Sequence, residues 1–365
     1  MAPLDMNRLA ALVMDRLDPR PGERVLLVAE PGRFGPLVAL IRDGVTARGA
    51  VDLGAWAVEG DAPAAWSTDF TRGLQGLEGA ALVEALAAVD AGIMLPGAVP
   101  AHPVYAALQQ VLWQGRGRTV HFHWAGAFDV GGALLNMNAE SDAFYQDVLE
   151  RTDYAALAAV HARFEEALRS GTVRVTTPAG TDLSFRVGDR PVTKQDGDAT
   201  AARAAGARNL IDREVELPAG AIRVAPLEST VQGTIVFPLS AWNGERVEGL
   251  TLTFNEGVVA DARAASGLSS ALAEMDEAGP AGRAFREFAL GFNPLMAIPE
   301  DDPWIPYYGY GAGVVRLSLG DNTELGGAVG GGYVRWNFFT DVTVTVGGVT
   351  WVAGGRLTPP AEGGR

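Results

Sequence analysis

Short apolar runs alternate with helical apolar stripes over the first third of the chain, and this alternation limits the possible folds more than any other feature. Val25 to Ala29 is an unbroken apolar run of strand length, with helical spacing of apolar residues before and after it. A second strand is predicted at Val51 to Val58. Strands that alternate with helices form βαβ units, in which the strands are parallel and covered by helices. The pattern therefore predicts an N-terminal α/β domain with a mainly parallel sheet.

The second half of the chain has a different pattern of predicted helices and strands. A long helix is predicted from Asp153 to Ser170, and beyond it short strands are joined by turn residues, as in the tight hairpin predicted at Val342 to Val352. Such neighbouring strands are typical of antiparallel sheets. We therefore predict two domains, an α/β domain over residues 1–168 and an α+β domain over residues 169–365.

Charge and cysteine content exclude several classes of function. The chain has 44 acidic and 29 basic residues, a formal charge of −15, which repels nucleic acids and anionic membranes. It has no cysteine, which excludes disulfides, thiolate catalysis, cysteinyl zinc sites and iron–sulfur clusters. The first helical stretch contains charged residues from Asp5 to Arg16, unlike a secretory signal. We expect a cytoplasmic protein with no nucleic-acid or membrane partner.

The histidines are confined to the first 161 residues, so the second half cannot build a Ser-His-Asp triad from its own residues. His121 and His123 are separated by one residue in a predicted strand, which places both on one face. They suit a metal site if a third ligand such as Asp129 joins them. A pair of half-buried structural histidines is the alternative interpretation. His161 lies beside the apolar stripe of its helix and is expected to be structural or exposed.

Several segments resemble one known family. These are Thr181 to Phe185 with Gly188 to Arg190, Leu217 to Pro226, and Glu287 to Pro294. Their order and spacing resemble the thermophilic metallo-aminopeptidases, the aminopeptidase T and aminopeptidase S group. The opening helix with Pro21 to Leu26 is similar to the family's beginning, and the closing hairpin to its end. The resemblance covers nearly the whole chain and implies the α/β plus α+β scaffold of that family, a homodimer and a metal-dependent aminopeptidase.

The chain departs from this family at the positions that carry the chemistry. Of the metal-ligand positions that the resemblance implies, only Glu287 keeps its residue. The departures are Ala221 for a carboxylate, Arg316 for a histidine, Thr323 for the catalytic tyrosine, and Arg335 and Asn337 for a His-x-Asp pair. The resemblance therefore identifies an aminopeptidase-like protein that has lost most of its metal ligands.

Strand alternation predicts that Arg316 and Arg335 point to where the family's histidines would lie. A guanidinium cannot be deprotonated or ligate a metal. A divalent ion about 4 Å from one arginine would meet a repulsion of about 8 kcal/mol at an effective dielectric constant near 20. We therefore predict no metal, no cofactor, no catalytic residue and no metal-dependent peptidase activity. The expected pocket binds a carboxylate-bearing or peptide-like molecule and is lined by Glu287, Arg316, Arg335, Asn337, Ala221 and Thr323.

Three alternatives stay open at this point. Arg316 can form an internal ion pair with Glu287 that only replaces the metals structurally. An active aminopeptidase is also conceivable, with oxygen ligands drawn from Glu228, Glu287, Asp321 and Glu324. Finally, the aromatic segment Trp304 to Tyr310 suits a homodimer contact or the mouth of the cleft, with core packing as the simpler role.

Overall fold

The computed structural model of the protein describes residues 4–360. Its helices are α1 (Met6–Leu17), α2 (Gly35–Ala47), α3 (Asp69–Gly73), α4 (Gly79–Leu86), α5 (Pro103–Trp113), α6 (Ala139–Arg151), α7 (Tyr154–Ser170), α8 (Ala201–Ala205) and α9 (Leu268–Glu277). The strands up to the middle of the chain are β1 (Arg24–Ala29), β2 (Val51–Ala57), β3 (Ala91–Met94), β4 (Arg118–Phe122), β5 (Phe128–Asp129), β6 (Thr172–Thr176), β7 (Asp182–Arg186), β8 (Thr193–Gln195), β9 (Glu214–Leu217) and β10 (Ala221–Val224).

The remaining strands belong to the second half of the chain. They are β11 (Gln232–Val236), β12 (Ser240–Trp242), β13 (Glu245–Val247), β14 (Thr251–Asn255), β15 (Val258–Arg263), β16 (Phe285–Gly291), β17 (Trp304–Ile305), β18 (Val315–Gly320), β19 (Val334–Arg335), β20 (Phe338–Phe339), β21 (Thr343–Val346), β22 (Val349–Ala353) and β23 (Arg356–Leu357). The predicted closing hairpin is present as the antiparallel pair β21 and β22.

The chain forms two compact units. The first comprises Met1–Ala125, Met137–Thr152 and Gly197–Ala219, and the second comprises Gly126–Asn136, Asp153–Asp196 and Gly220–Arg365. This division differs from the single boundary predicted between residues 168 and 169. The difference arises because β9 returns to pair with β4 in the first unit, and because Phe164 of α7 packs on Phe292 of the second, with ring centroids 5.2 Å apart.

The first unit contains a five-stranded sheet in the order β2-β1-β3-β4-β9. Every pairing in it is parallel, which confirms the predicted α/β architecture. Leu26 and Val28 of β1 pack in one core cluster with Leu108 and Val111 of α5, and none of these side chains is more than 2% exposed. Burial of this apolar face of α5 fixes the helix on the sheet.

The second unit is built on two antiparallel sheets. The larger has eight strands in the order β15-β14-β11-β7-β6-β21-β22-β23, and the smaller has β19-β18-β16-β10-β8 with β20 also paired to β18. Phe185 of β7 contacts Phe288 of β16 with ring centroids 5.4 Å apart, so aromatic side chains join the two sheets. These antiparallel sheets with helices α7 and α9 confirm the predicted α+β class. The opposite face of β16 carries the polar residues Arg286 and Glu287.

Within residues 4–360 no helix combines the length and apolar character that a membrane span requires. In the aromatic segment Trp304 to Tyr310, Tyr307 and Tyr310 are at most 1% exposed. Those two rings therefore serve as packing residues within the second unit.

Candidate functional site

Glu287 lies in the middle of β16 with no exposed surface, and it is surrounded by arginines. Nε of Arg316 donates to Oε1 of Glu287 at 2.6 Å, and Nη2 of Arg223 donates to Oε2 at 3.1 Å. Burial by itself would raise the pKa of Glu287, but the charges of Arg223, Arg316 and Arg286 hold that pKa well below its ordinary value. Glu287 is therefore a carboxylate whose charge is already balanced within the protein.

Sheet register explains why Arg223 and Arg316 reach the same carboxylate. Arg223 of β10 pairs with Ala289 of β16, and Ala289 pairs with Arg316 of β18. Paired residues of antiparallel strands project from the same face, so the two arginines flank the small side chain of Ala289. The predicted ion pair between Arg316 and Glu287 is present in this arrangement.

A β-bulge adds a third arginine to the same face. The register of β16 against β18 shifts between Phe285 and Glu287, which leaves Arg286 as an extra residue. The bulge allows Phe285 and Phe288 to face the aromatic core while Arg286 and Glu287 share the other face. Nε of Arg286 lies 3.6 Å from Oε2 of Glu287.

Glu324 completes the group from a short 3₁₀ turn, Thr323–Leu325. Its Oε1 accepts from Nη2 of Arg223 at 3.0 Å and from Nη2 of Arg286. We call Arg223, Arg286, Glu287, Arg316 and Glu324 the arginine cluster. Its three guanidinium groups exceed its two carboxylates by one positive charge.

Arg316 retains hydrogen-bonding capacity. Its Nη1 donates to the backbone oxygen of Tyr308 at 3.2 Å, but within residues 4–360 its buried Nη2 and the buried Oγ of Ser318 have no hydrogen-bond partner. The guanidinium carbon lies 5.3 Å from the ring centre of Trp336 and 5.9 Å from that of Tyr310. An arginine held against aromatic faces with a spare donor is suited to binding an anionic group.

Arg335 does not share the site with Arg316, which corrects the placement expected from the sequence. Arg335 pairs in register with Leu319, and Leu319 and Arg316 lie on opposite faces of β18. The guanidinium of Arg335 stacks over Trp242 at 3.4 Å and donates to Glu274 at 2.8 Å. Alternation correctly predicts which side chains share a face within one strand. The pairing register of the two strands decides whether Arg316 and Arg335 lie on the same face of the sheet.

The side chain of Asn337 bonds to Arg335 and to the backbone of β18. Its side-chain nitrogen donates to the backbone oxygen of Leu317 at 3.2 Å, and its oxygen accepts from Nε of Arg335 at 3.2 Å. Arg335, Trp336 and Asn337 line part of a cavity of about 210 Å³, which is otherwise bounded mainly by Val130 to Ala133 and residues of 238–241. Asn337 therefore supports the strand pairing beside this cavity.

Ala221 and Thr323, the two remaining predicted residues, have structural contacts within the sheet and the turn. Ala221 lies opposite Gly291 and Gln195 in the sheet, on the face that carries Arg223. Thr323 donates its hydroxyl to Asp321 at 2.6 Å and begins the turn that carries Glu324. Ala221 thus contributes a small side chain to the floor of the site, and Thr323 contributes to the turn.

Sequence reasoning missed two members of the cluster as binding residues. Arg223 stands two positions after Ala221 in the same strand, so alternation alone would have placed it on the site face. Arg286 could not be found in that way, because its position depends on the bulge. The sequence does contain one sign of this bulge. Phe285 and Phe288 are both apolar but are three positions apart, so they cannot share a face of a regular strand.

The alternative set of oxygen ligands is already engaged. Glu228 pairs with Arg190 and accepts from the side chain of Asn322 at 3.1 Å, while Asp321 accepts from Thr323 and from the backbone of Gly332 at 2.9 Å. Across the described chain no three histidine, cysteine, aspartate or glutamate residues are grouped so that they could hold a metal. The donor set beside Glu287 therefore does not fit a catalytic metal centre.

His121 and His123 of the first unit form a polar group in which His121 is buried and His123 is half-buried. His121 and His123 stack with ring centroids 3.4 Å apart, and His121 lies opposite Glu216 in the register of β4 and β9. Nδ1 of His121 is hydrogen-bonded to the hydroxyl of Tyr105, and that hydroxyl donates its one proton to Glu214 at 2.7 Å. Burial lowers the pKa of His121 to about 4. His161, predicted to be structural or exposed, is fully buried in the second unit against the ring of Phe292.

Neither a protein-family model nor a curated protein matches the sequence. Among the solved structures that resemble it, two do so over nearly its whole length. One is 2,5-dihydroxypyridine dioxygenase from Pseudomonas putida KT2440, with a TM-score of 0.65 and 15% identity over 99% of both chains. The other is wild-type AmpT from Thermus thermophilus, with a TM-score of 0.62 and 18% identity over 96% of this chain and 98% of that chain. The fold is aminopeptidase-like.

These likenesses fix the fold alone. The two neighbours share one architecture, yet one of them is a dioxygenase and the other a thermophilic aminopeptidase. A common scaffold therefore leaves the reaction open, and the residues of the site decide what the protein can bind or convert.

Proposed function

We propose that this protein no longer hydrolyses peptides with bound metal ions, and that its arginine cluster binds a small carboxylate-bearing or peptide-like molecule. The observation that carries the proposal is the enclosure of the fully buried Glu287 by Arg223, Arg286 and Arg316. The one carboxylate that the family resemblance retains is committed to three cations. A divalent ion at that position would have to displace them against their own charge.

The excess charge supports the binding part of the proposal. Within the arginine cluster three guanidinium groups face two carboxylates, and a largely buried group with more cations than carboxylates favours an anion. Among the described residues the Nη2 of Arg316 and the Oγ of Ser318 have no hydrogen-bond partner, so they add donors beside those guanidinium groups. A carboxylate suits a guanidinium because both are planar and can form two parallel hydrogen bonds.

The hydrolytic part is tested with amino-acid p-nitroanilides in the presence of Zn²⁺, Co²⁺ or Mn²⁺. We expect no metal-stimulated release of nitroaniline from the purified full chain. Metal-stimulated release that a chelator abolishes would contradict the proposal and identify an active aminopeptidase. No contact in the site favours that second function, because Glu228, Asp321 and Glu324 are all engaged by other groups.

The binding part is tested by calorimetric titration with N-acetyl-L-leucine and with its neutral amide, N-acetyl-L-leucinamide. We expect weak but measurable binding of the carboxylate and none of the amide. Arg316→Gln should abolish binding, whereas Arg335→Gln, an identical change on the other face of the sheet, should retain it. Equal affinity for carboxylate and amide would contradict an anion site.

A further inference from the structure

We propose that Glu324 occupies the position of the ligand's carboxylate in the free protein, and that the ligand binds Arg223 and Arg286 by displacing it. This inference rests on the proposed function, since it concerns the same arginine cluster. It names the ligand class as molecules with an accessible carboxylate on a short aliphatic chain, of which a glutamate side chain is itself an example.

The contacts of Glu324 are those of a bound carboxylate. A single oxygen, Oε1, accepts from Nη2 of Arg223 at 3.0 Å and also from Nη2 of Arg286. Arg223 uses the same Nη2 to reach Glu287 at 3.1 Å. Glu324 thus bridges two guanidinium groups that are oriented by Glu287, which is how a site for an anion would be arranged.

Burial separates the fixed part of the cluster from its replaceable part. The side chains of Arg223 and Arg286 are 5% and 2% exposed and that of Glu287 is 0% exposed, whereas Glu324 is 33% exposed. Three of these residues project from paired strands of the sheet, whereas Glu324 projects from a three-residue turn. Glu324 is therefore the member that can leave without disturbing the sheet.

Charge makes the vacancy left by Glu324 costly unless another anion fills it. Without Glu324, the guanidinium of Arg286 would keep only its 3.6 Å approach to Glu287 among the ion pairs of the described residues, and a buried cation needs a partner. A tethered carboxylate acts at an effective concentration of about millimolar or higher, so it competes with free ligands. Free carboxylates should consequently bind weakly to the wild-type protein and more tightly when Glu324 is removed.

The first experiment is chemical rescue of Glu324→Ala. Propionate matches the missing side chain, and propionamide is its neutral counterpart of nearly the same shape. We expect 50 mM propionate to raise the thermal midpoint of Glu324→Ala by about 2 °C or more while propionamide has no effect. The wild-type protein and Glu277→Ala, which loses an exposed glutamate of α9, should respond much less, because Glu324 still competes in both. An equal response of all three proteins to propionate, or a response of none, would overturn the inference.

The second experiment measures affinity in the variant that keeps the shape of the side chain. N-acetyl-L-leucine should bind Glu324→Gln at least about tenfold more tightly than it binds wild type, because the tethered competitor is gone. Equal affinities overturn this inference and leave the proposed function standing. Weaker binding to Glu324→Gln also overturns it, since Glu324 would then assist the ligand. No binding to any variant overturns both proposals.

Discussion

Glu287 holds the arginine cluster together. Its side chain is fully buried, and its negative charge is shared among Arg223, Arg286 and Arg316. Because the folded-state pKa is lowered, this carboxylate stabilises the fold above its ordinary pKa of 4.5, and the stabilisation is lost as pH falls below that value. A buried charge network of this kind is sensitive to the loss of one partner.

Replacement of Glu287 by glutamine should therefore destabilise the protein strongly. We expect Glu287→Gln to lower the free energy of unfolding by about 3–5 kcal/mol, because buried arginines lose their common partner. Glu277→Gln removes the same charge from the exposed side of α9 and should change the free energy of unfolding by no more than about 0.5 kcal/mol. Urea denaturation at pH 7 measures both values, and equal losses would contradict the assigned role.

The stacked histidines of the first unit give stability a second dependence on pH. His121 is 3% exposed, and burial lowers its pKa from 6.5 to about 4 in the folded protein. Between these values the unfolded chain binds a proton that the folded protein does not bind. Stability must therefore fall as pH decreases from 6.5 toward 4, by up to about 1.4 kcal/mol per pH unit for each such group.

His121→Gln should flatten this dependence. Glutamine does not titrate, so the variant should lose less free energy of unfolding than wild type when the pH is lowered from 6.5 to 5. Urea denaturation at the two pH values gives the slopes. Between pH 7.5 and 8.5, where a histidine of ordinary pKa is uncharged, both proteins should respond alike. The same slope in both proteins below pH 6.5 would show that His121 does not contribute to it.

Among the strands of the second unit, β16 carries two residues of the arginine cluster, Arg286 and Glu287. Its bulge at Arg286 turns two consecutive charged residues to one face while Phe285 and Phe288 remain in the aromatic core. At the end of the strand, Gly291 allows a second segment of chain to cross closely. A Cβ placed on Gly291 would lie 2.0 Å from the backbone oxygen of Gly311, next to Tyr310.

Gly291→Ala should consequently disturb the site through the backbone. The added methyl group must push away the segment that carries Tyr310, and we expect a loss of about 1–3 kcal/mol in the free energy of unfolding. Gly35→Ala, in the first turn of α2 with no atom within 4 Å of the added carbon, should be neutral or slightly stabilising. Chemical denaturation compares the two, and a neutral Gly291→Ala would contradict the close packing.

At the scale of the whole molecule, the chain passes between its two units more than once. Residues 126–136 belong to the second unit although the first unit continues on both sides, and residues 197–219 return to the first. Contacts far apart in sequence therefore define both units, which explains why a single boundary was expected from the sequence. The homodimer implied by the family resemblance stays a prediction; light scattering would show twice the mass of the 38.2 kDa chain.

Much of the fold could be predicted because hydrophobic periodicity is a local property. The run Val25 to Ala29, the helix ending at Ser170 and the closing hairpin were all legible in the order of apolar and turn residues. The site was only partly predictable. An ion pair between Arg316 and Glu287 was one of the alternatives that the sequence offered, but Arg335 was assigned to the wrong face because register is set by the partner strand.

Residue identity and local order were enough to predict the fold class and to exclude cysteine chemistry, because neither depends on contacts between distant residues. The meeting of Arg286 and Glu324 beside Glu287 became visible only in three dimensions. Strand register, a bulge and a distant turn bring those charges together, and electrostatic energy depends on distances in space between residues far apart in the chain.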